Sequence, residues 1–325
     1  MDFPDSGRDR KIPPEAGPDR RNGLRETPRT RGDRSSHMDV RTSAPVPHTE
    51  YFPPPHRVRG PSRWLAVLRQ ERLDMSRFWP VVQNMVVQEL RVRYQRSWLG
   101  FLWTMLHPIL MMTTLTLVFS QLFRIKAENY AVYLFAGMVP WNFLAAALNE
   151  CAFCIIQNEG LIRKIYIPKL VFPLAKMLVN LTTFMLSLVA LFLLLKPMGA
   201  QFSLSLVFLP VVIVLFAAFT LGLGLIVAVA NTFFRDCGHL VTVFLQAWYF
   251  ATPIVYQIEM IPPEARWRFW LNPAYPFIRM FQVIIVDGQW PHLTTILASA
   301  GIAAVSLGIG YAAFKSHENK LVFRL

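Results

Sequence analysis

Six long apolar runs constrain this chain more than any other feature. They cover roughly residues 99–123, 131–156, 170–195, 204–230, 239–258 and 292–314. About 20 mostly apolar residues, rising 1.5 Å each, cross the ~30 Å hydrocarbon core of a bilayer. In lipid a helix satisfies its own backbone donors and acceptors, so helices are the natural spanning element. The runs predict an all-α polytopic membrane protein whose six transmembrane helices occupy 99–325.

The rest of the chain is of a different character. Residues 1–98 hold 19 of the 33 Lys and Arg and 12 of the 20 Asp and Glu, although they are under a third of the 325 residues. Residues 1–62 also hold 11 of the 24 prolines and keep no helical or strand period. They read as a disordered, basic cytoplasmic tail. The polar start has no apolar h-region, so no secretory signal is expected. The net charge of +13 suits the anionic face of a membrane, and a body this apolar argues against nucleic acid as partner.

Between 63 and 98 the sequence reads as an amphipathic interface helix. Trp79, Val82, Val86 and Leu90 recur at helical spacing, with Gln83, Gln88, Arg91 and Arg93 elsewhere on the helix. The basic tail and Arg91, Arg93 and Arg96 precede the first run, which places the N-terminus in the cytoplasm. Six spans then return the C-terminus to the same side. Arg266, Arg268 and Arg279 in the loop after the fifth run oppose this mildly, but the tail's bias is larger. That loop, 257–291, is rich in aromatics and takes a helical period after Pro276. It reads as short helices between spans five and six that re-enter the outer leaflet or lie on it.

A search for chemistry finds little. There is no GxxxxGK[ST], no GxGxxG, no HExxH and no GxSxG. Cys151 and Cys154 form a C-x-x-C inside an apolar run with no second pair, so they read as packing residues and no metal site is expected. No constellation for catalysis emerges. Polar residues inside spans are the remaining signal. Lys176, Asn180, Thr183 and Ser187 fall at i, i+4, i+7 and i+11, one stripe along the third run. Glu150 lies at a depth similar to Lys176, and the two are expected to pair directly or through a bridging water, unless Lys176 snorkels to the interface. Trp248, Tyr249 and Tyr256 flank the fifth run, either as an interfacial belt or as stacking faces for sugar rings.

Several blocks, in order, resemble a known family. They are "ELRVRYQRSWLGFLWTMLHPIL" (89–110), "PWNFLAAAL" (140–148), "LIRKIYIPKLVFPLAKMLVN" (161–180), "NTFFRDCGHLVTVFLQAWYFATPIVY" (231–256) and "LNPAYPFIRMFQ" (271–282). Together they look like the permease subunit of type-2 ABC exporters, and most like those that export O-antigen, capsular polysaccharide or teichoic acid. The resemblance implies a homodimer in the bacterial inner membrane, bound to two ABC ATPase subunits. ATP and Mg would sit on those partners, with no cofactor in this chain, which agrees with the missing P-loop. The substrate would be a polyprenyl-diphosphate-linked glycan, among membrane lipids. The resemblance makes Glu159, Gly160, Leu161, Ile162, Arg163, Lys164, Ile165 and Tyr166 a coupling helix. Leu161, Ile162, Ile165 and Tyr166 would form its apolar face. Arg91, Arg93 and Arg96 would draw the diphosphate to the entrance, and Trp248, Tyr249 and Tyr256 would line the conduit. Two other readings share parts of the pattern. An exporter of a small amphiphile or drug would share the fold. A membrane-embedded glycosyl- or acyltransferase should show convergent carboxylates or a His–Asp pair, and none is found.

Overall fold

A computed structural model describes residues 63–95, scattered positions between 106 and 118, 127–195, 203–321 and 324. The tail 1–62 and most of the first predicted span lie outside the described residues. All described residues belong to the unit Arg59–Leu325. Among them the structure is helical, with no strand.

The helices are α1 (Arg63–Tyr94), α2 (Ala127–Gln157), α3 (Glu159–Lys164), α4 (Val171–Leu195), α5 (Leu209–Phe233), α6 (Cys237–Ala251), α7 (Tyr275–Ile285) and α8 (Leu293–Leu321). Tight 3-10 turns precede α5 at Leu204–Phe208 and follow α6 at Ile258–Met260 and Pro263–Leu271. Four stretches are long and apolar enough to cross a membrane: Tyr130–Lys164, Val171–Leu193, Leu204–Phe233 and Leu293–Leu321. They match the second, third, fourth and sixth predicted runs. The fifth run differs. Its helix α6 has 15 residues, about 22 Å at 1.5 Å per residue, and stops at Ala251, short of the expected 258.

Helix α2 is the hub. It packs against α4, α5, α6 and α7, and its middle is buried nearly all round, from Tyr130 to Ile155. Helix α5 packs most extensively on α8. Their crossing is closer than side chains allow. A Cβ on Gly310 would land on the Gly222 carbonyl, and one on Gly222 would strike the backbone of Ser306 and Leu307. Ser306 Oγ adds a hydrogen bond to the Phe219 carbonyl at 3.0 Å. Small residues let apolar helices approach where dispersion, rather than water exclusion, holds them together.

Helix α7 brings an apolar face into the bundle. Phe277 stacks on Phe219 at 4.9 Å, while Phe281 meets Phe216 and Phe184 edge-on. The non-helical backbone between α6 and α7 is covered by polar side chains from inside the bundle. Tyr130 Oη donates to the Val255 carbonyl at 2.5 Å. Tyr133 Oη lies 3.0 Å from both the Pro253 and Tyr256 carbonyls, its one hydrogen serving either. Gln282 Nε2 donates to Pro253 as well, at 3.0 Å. Beyond the break, Arg279 lies 3.5 Å from both Glu259 and Asp287. Partial burial raises the Asp287 carboxyl from its ordinary value, and Arg279 pulls it the other way.

The α5–α8 crossing yields a direct test. Gly310→Ala should destabilise the protein by about 1–3 kcal/mol, as overpacking a tight contact does. A thermal melt in detergent should show a lower midpoint for Gly310→Ala than for Gly301→Ala, because a Cβ at Gly301 meets open space.

Candidate functional site: a charged cluster joining the interface helix to two spans

Helix α1 packs along α4. Val82 is fully buried among Ile155, Val171, Phe172 and Ala175, with Phe78, Val81, Met85 and Val86 around it. The packed face therefore runs through Phe78, Val82, Met85, Glu89 and Arg93. Trp79 is 42% exposed. One face thus carries apolar residues at its start and two charged residues at its end.

Those two charges meet partners on other helices. Arg93 Nη2 lies 2.6 Å from Glu150 Oε1 on α2. Lys176 Nζ on α4 lies 2.5 Å from Glu89 Oε1, and Arg93 is also 4.0 Å from Glu89. Asn180 Nδ2 on α4 donates to Glu150 Oε2 at 2.7 Å and to its own helix at the Lys176 carbonyl, 2.9 Å. The expected Glu150–Lys176 pair is thus corrected: each takes a partner on α1 instead. Sequence reasoning weighed charges only between spans. It overlooked that Glu89, at i−4 from Arg93, shares the interface helix's inner face. The signal was present, since a carboxylate four residues before an arginine on a helix marks one side of it.

The cluster closes one end of a cavity of about 310 Å³. Its walls are Asn142, Phe143 and Ala146 of α2 with Asn180, Thr183 and Ser187 of α4. The polar stripe read from sequence therefore lines a shared space from Asn180 onward. Thr183 and Ser187 bond back to carbonyls one turn earlier, while Asn142 stands opposite. Two carboxylates and two cations balance, so the cluster presents no net charge. Arg91 is exposed and Arg96 lies outside the described residues.

The segment expected to be a coupling helix is short and uncovered. Helix α3 contains no buried residue. Ile162 turns toward the α1–α4 cluster, so it leaves the expected common apolar face. Leu161, Ile165 and Tyr166 are 36%, 51% and 82% exposed. Arg163 pairs with Glu159 at 2.6 Å, and Lys164 is exposed. Asn158, ahead of the helix, bonds back to the Cys154 carbonyl at 2.7 Å rather than capping α3. A Cβ at Gly160 would meet nothing.

The expected conduit aromatics are half-buried and lean on other rings. Trp248 meets Trp141 edge-on at 5.6 Å and Tyr249 leans on Trp141 at 5.7 Å. Tyr256 sits 6.2 Å from Phe269. Phe244 and Phe250 are the aromatics of α6 that face out. Cys151 and Cys154 are buried thiols, with Cys151 Sγ 3.7 Å from the Pro173 carbonyl. No group of metal-ligating side chains occurs among the described residues.

A short exposed helix, a long helix tied to the side of the bundle and four helices long enough to span a membrane fit a transport permease. Residues 80–286 match the family described as ABC-2 type transporter, and the chain belongs to that family. It is 32% identical over 249 residues to an O-antigen export system permease protein, RfbA, of Myxococcus xanthus, covering 76% of this chain and 96% of that protein. An RfbA permease of Klebsiella pneumoniae is 29% identical over 73% of this chain and 90% of its own length. The polysialic acid transport protein KpsM of Escherichia coli is 22% identical over 74% and 95%.

The new pairing predicts a pattern of coupling energies. Arg93→Ala and Glu150→Ala should be non-additive by about 1 kcal/mol in thermal stability, within the usual range for neighbouring residues. Lys176→Ala with Glu89→Ala should behave alike. Glu150→Ala with Lys176→Ala should couple more weakly than either direct pair, since they meet only through Arg93 and Glu89, and a double-mutant cycle on the purified chain checks all three.

Proposed function

We propose that this chain is the transmembrane subunit of an ATP-driven exporter that moves a polyprenyl-diphosphate-linked polysaccharide across the bacterial inner membrane. It acts as a homodimer with two separate ATPase subunits, which hold ATP and Mg. Both termini lie in the cytoplasm. Six spans comprise the four long apolar helices, the run 99–123 and α6 with its non-helical continuation. Helix α7 and the 3-10 turns before it form the re-entrant outer piece.

The observation that carries this reading is the state of α3. Six residues are too few for a helix to be stable alone. Yet α3 and the two residues after it hold three apolar side chains, Leu161, Ile165 and Tyr166, out from the bundle. Such a piece needs a docking partner, and an ATPase groove suits it. The similarity over nearly the full length of O-antigen permeases supports a glycan rather than a small amphiphile as cargo.

The charged cluster suggests how force travels. ATP-driven closure pushes α3 at one end of α2 and α1 beside it. The Arg93–Glu150 and Lys176–Glu89 pairs bind α1, α2 and α4 into one body. That body then rocks as a unit about the dimer axis and opens the conduit between protomers.

Tyr166→Ala and Ile165→Ser should cut co-purification of the ATPase subunit at least tenfold, as loss of a central apolar anchor does. Both side chains are exposed, so the melting midpoint of the isolated permease should stay unchanged. Unchanged ATPase association in the double variant would remove α3 from the coupling interface, and no association by the wild type would overturn the exporter reading.

A further inference from the structure

A second cavity, of about 640 Å³, lies near the end of α6 away from α3. It sits beside Trp248, which packs on Trp141. Trp141 is 16 residues from the α3 end of α2, about 24 Å along it. The walls are Leu223 of α5, Phe244, Trp248 and Ala251 of α6, and Arg268, Phe269 and 271–273 after it. They are apolar and aromatic except for Arg268 and Asn272. The volume falls within the ~300–1,000 Å³ of small-molecule sites.

The two polar residues differ in what they offer. Asn272 is fully used. Its Oδ1 accepts from Trp248 Nε1 at 2.8 Å and from the Ala274 amide at 3.0 Å. Its Nδ2 donates to Thr252 Oγ1 at 2.9 Å and to the Ala251 carbonyl at 3.3 Å. These bonds lock the Trp248 ring in place, with Phe244 leaning on it at 5.4 Å. Arg268 is the opposite case. Its neighbours Arg266 and Arg279 are engaged, Arg266 with the Ile261 and Glu259 carbonyls and Arg279 with Glu259 and Asp287. Arg268 is exposed and makes no ion pair or hydrogen bond with any described residue. A free guanidinium therefore stands at the rim of a preset aromatic wall.

Ring walls and one free guanidinium suit a particular chemistry. Aromatic faces stack on the C–H faces of sugars. A guanidinium takes phosphate oxygens two at a time, as an ammonium does not. Exposed Trp267, Trp270 and Leu271 flank Arg268, the composition of a segment seated at headgroup depth. We infer that this cavity is a binding site for the phosphate–sugar junction of a lipid-linked glycan, with Arg268 holding the phosphate and Trp248, Phe244 and Phe269 holding the first sugar. It would receive the cargo at the far end of its passage. The inference rests on the export reading and adds a subsite and a specificity residue to it. A bulk phospholipid would share the phosphate but has no ring for the wall to stack on.

The test uses the permease with its ATPase subunits in nanodiscs of neutral lipid. A benzophenone amino acid replaces Leu271 on the cavity wall, and a polyprenyl-diphosphate-linked N-acetylhexosamine is the probe. The wild-type site should crosslink the probe. Arg268→Gln should lower the yield at least tenfold, Arg268→Lys should lower it less, and excess phosphatidylglycerol should not compete. Arg268 is exposed, so the variants should melt as the wild type does. Three results overturn the site: undiminished crosslinking in Arg268→Gln, equal competition by phosphatidylglycerol, or an adduct to a second copy of the chain. If the probe stimulates ATP hydrolysis but never crosslinks, the site is wrong and the export reading stands. If the probe neither stimulates nor crosslinks, the export reading fails with it.

Discussion

The need to satisfy every backbone polar group inside an apolar bundle governs this structure. A continuous helix meets that need by itself, and α2, α4, α5 and α8 do so. Helix α6 does not, because it ends at Ala251 and frees carbonyls at Pro253, Val255 and Tyr256. Each unsatisfied group at such depth costs several kcal/mol. Tyr130, Tyr133 and Gln282 reach those carbonyls from α2 and α7. The break is thus tolerated only because α2 and α7 lie where they do. The same break lets the chain turn back, place α7 in the core and build the aromatic wall around Trp248.

The charged cluster obeys the same logic with larger stakes. A lone charge in an apolar surrounding is expensive, and a pair is tolerated only with good geometry and further hydrogen bonds. Glu150 has Arg93 on one oxygen and Asn180 on the other. Lys176 has Glu89. Each pair crosses from α1 to a span, so the interface helix cannot slide without exposing two charges. The pairs thus bind α1 to α2 and α4, while α3 keeps no buried residue.

Much of this was legible from residue order. The all-helical class followed from the apolar runs, because length and hydropathy suffice to define a span. The boundaries of the four long helices fell close to the runs that announced them. The short basic α3 fell in the gap between the runs 131–156 and 170–195. What could not be read was partnership across helices. Glu150 and Lys176 share a depth, and depth is all that counting along two helices supplies. Rotation of each helix about its axis decides the partner, and that is set by packing, here by Val82 seated among Phe172 and Ala175. Ile162 was misplaced for the same reason.

Sequence alone determined that this chain is a bundle of spanning helices with an amphipathic leader and a short basic connection, since these are properties of periodicity and length. Tertiary structure alone decided which charges meet, which aromatic rings face outward and where α6 stops. Those outcomes depend on contacts between residues 57, 87 or 125 positions apart in the chain. Local pattern specifies an element and its apolar face. Only close packing of all the elements selects one rotation and one register among those the pattern allows.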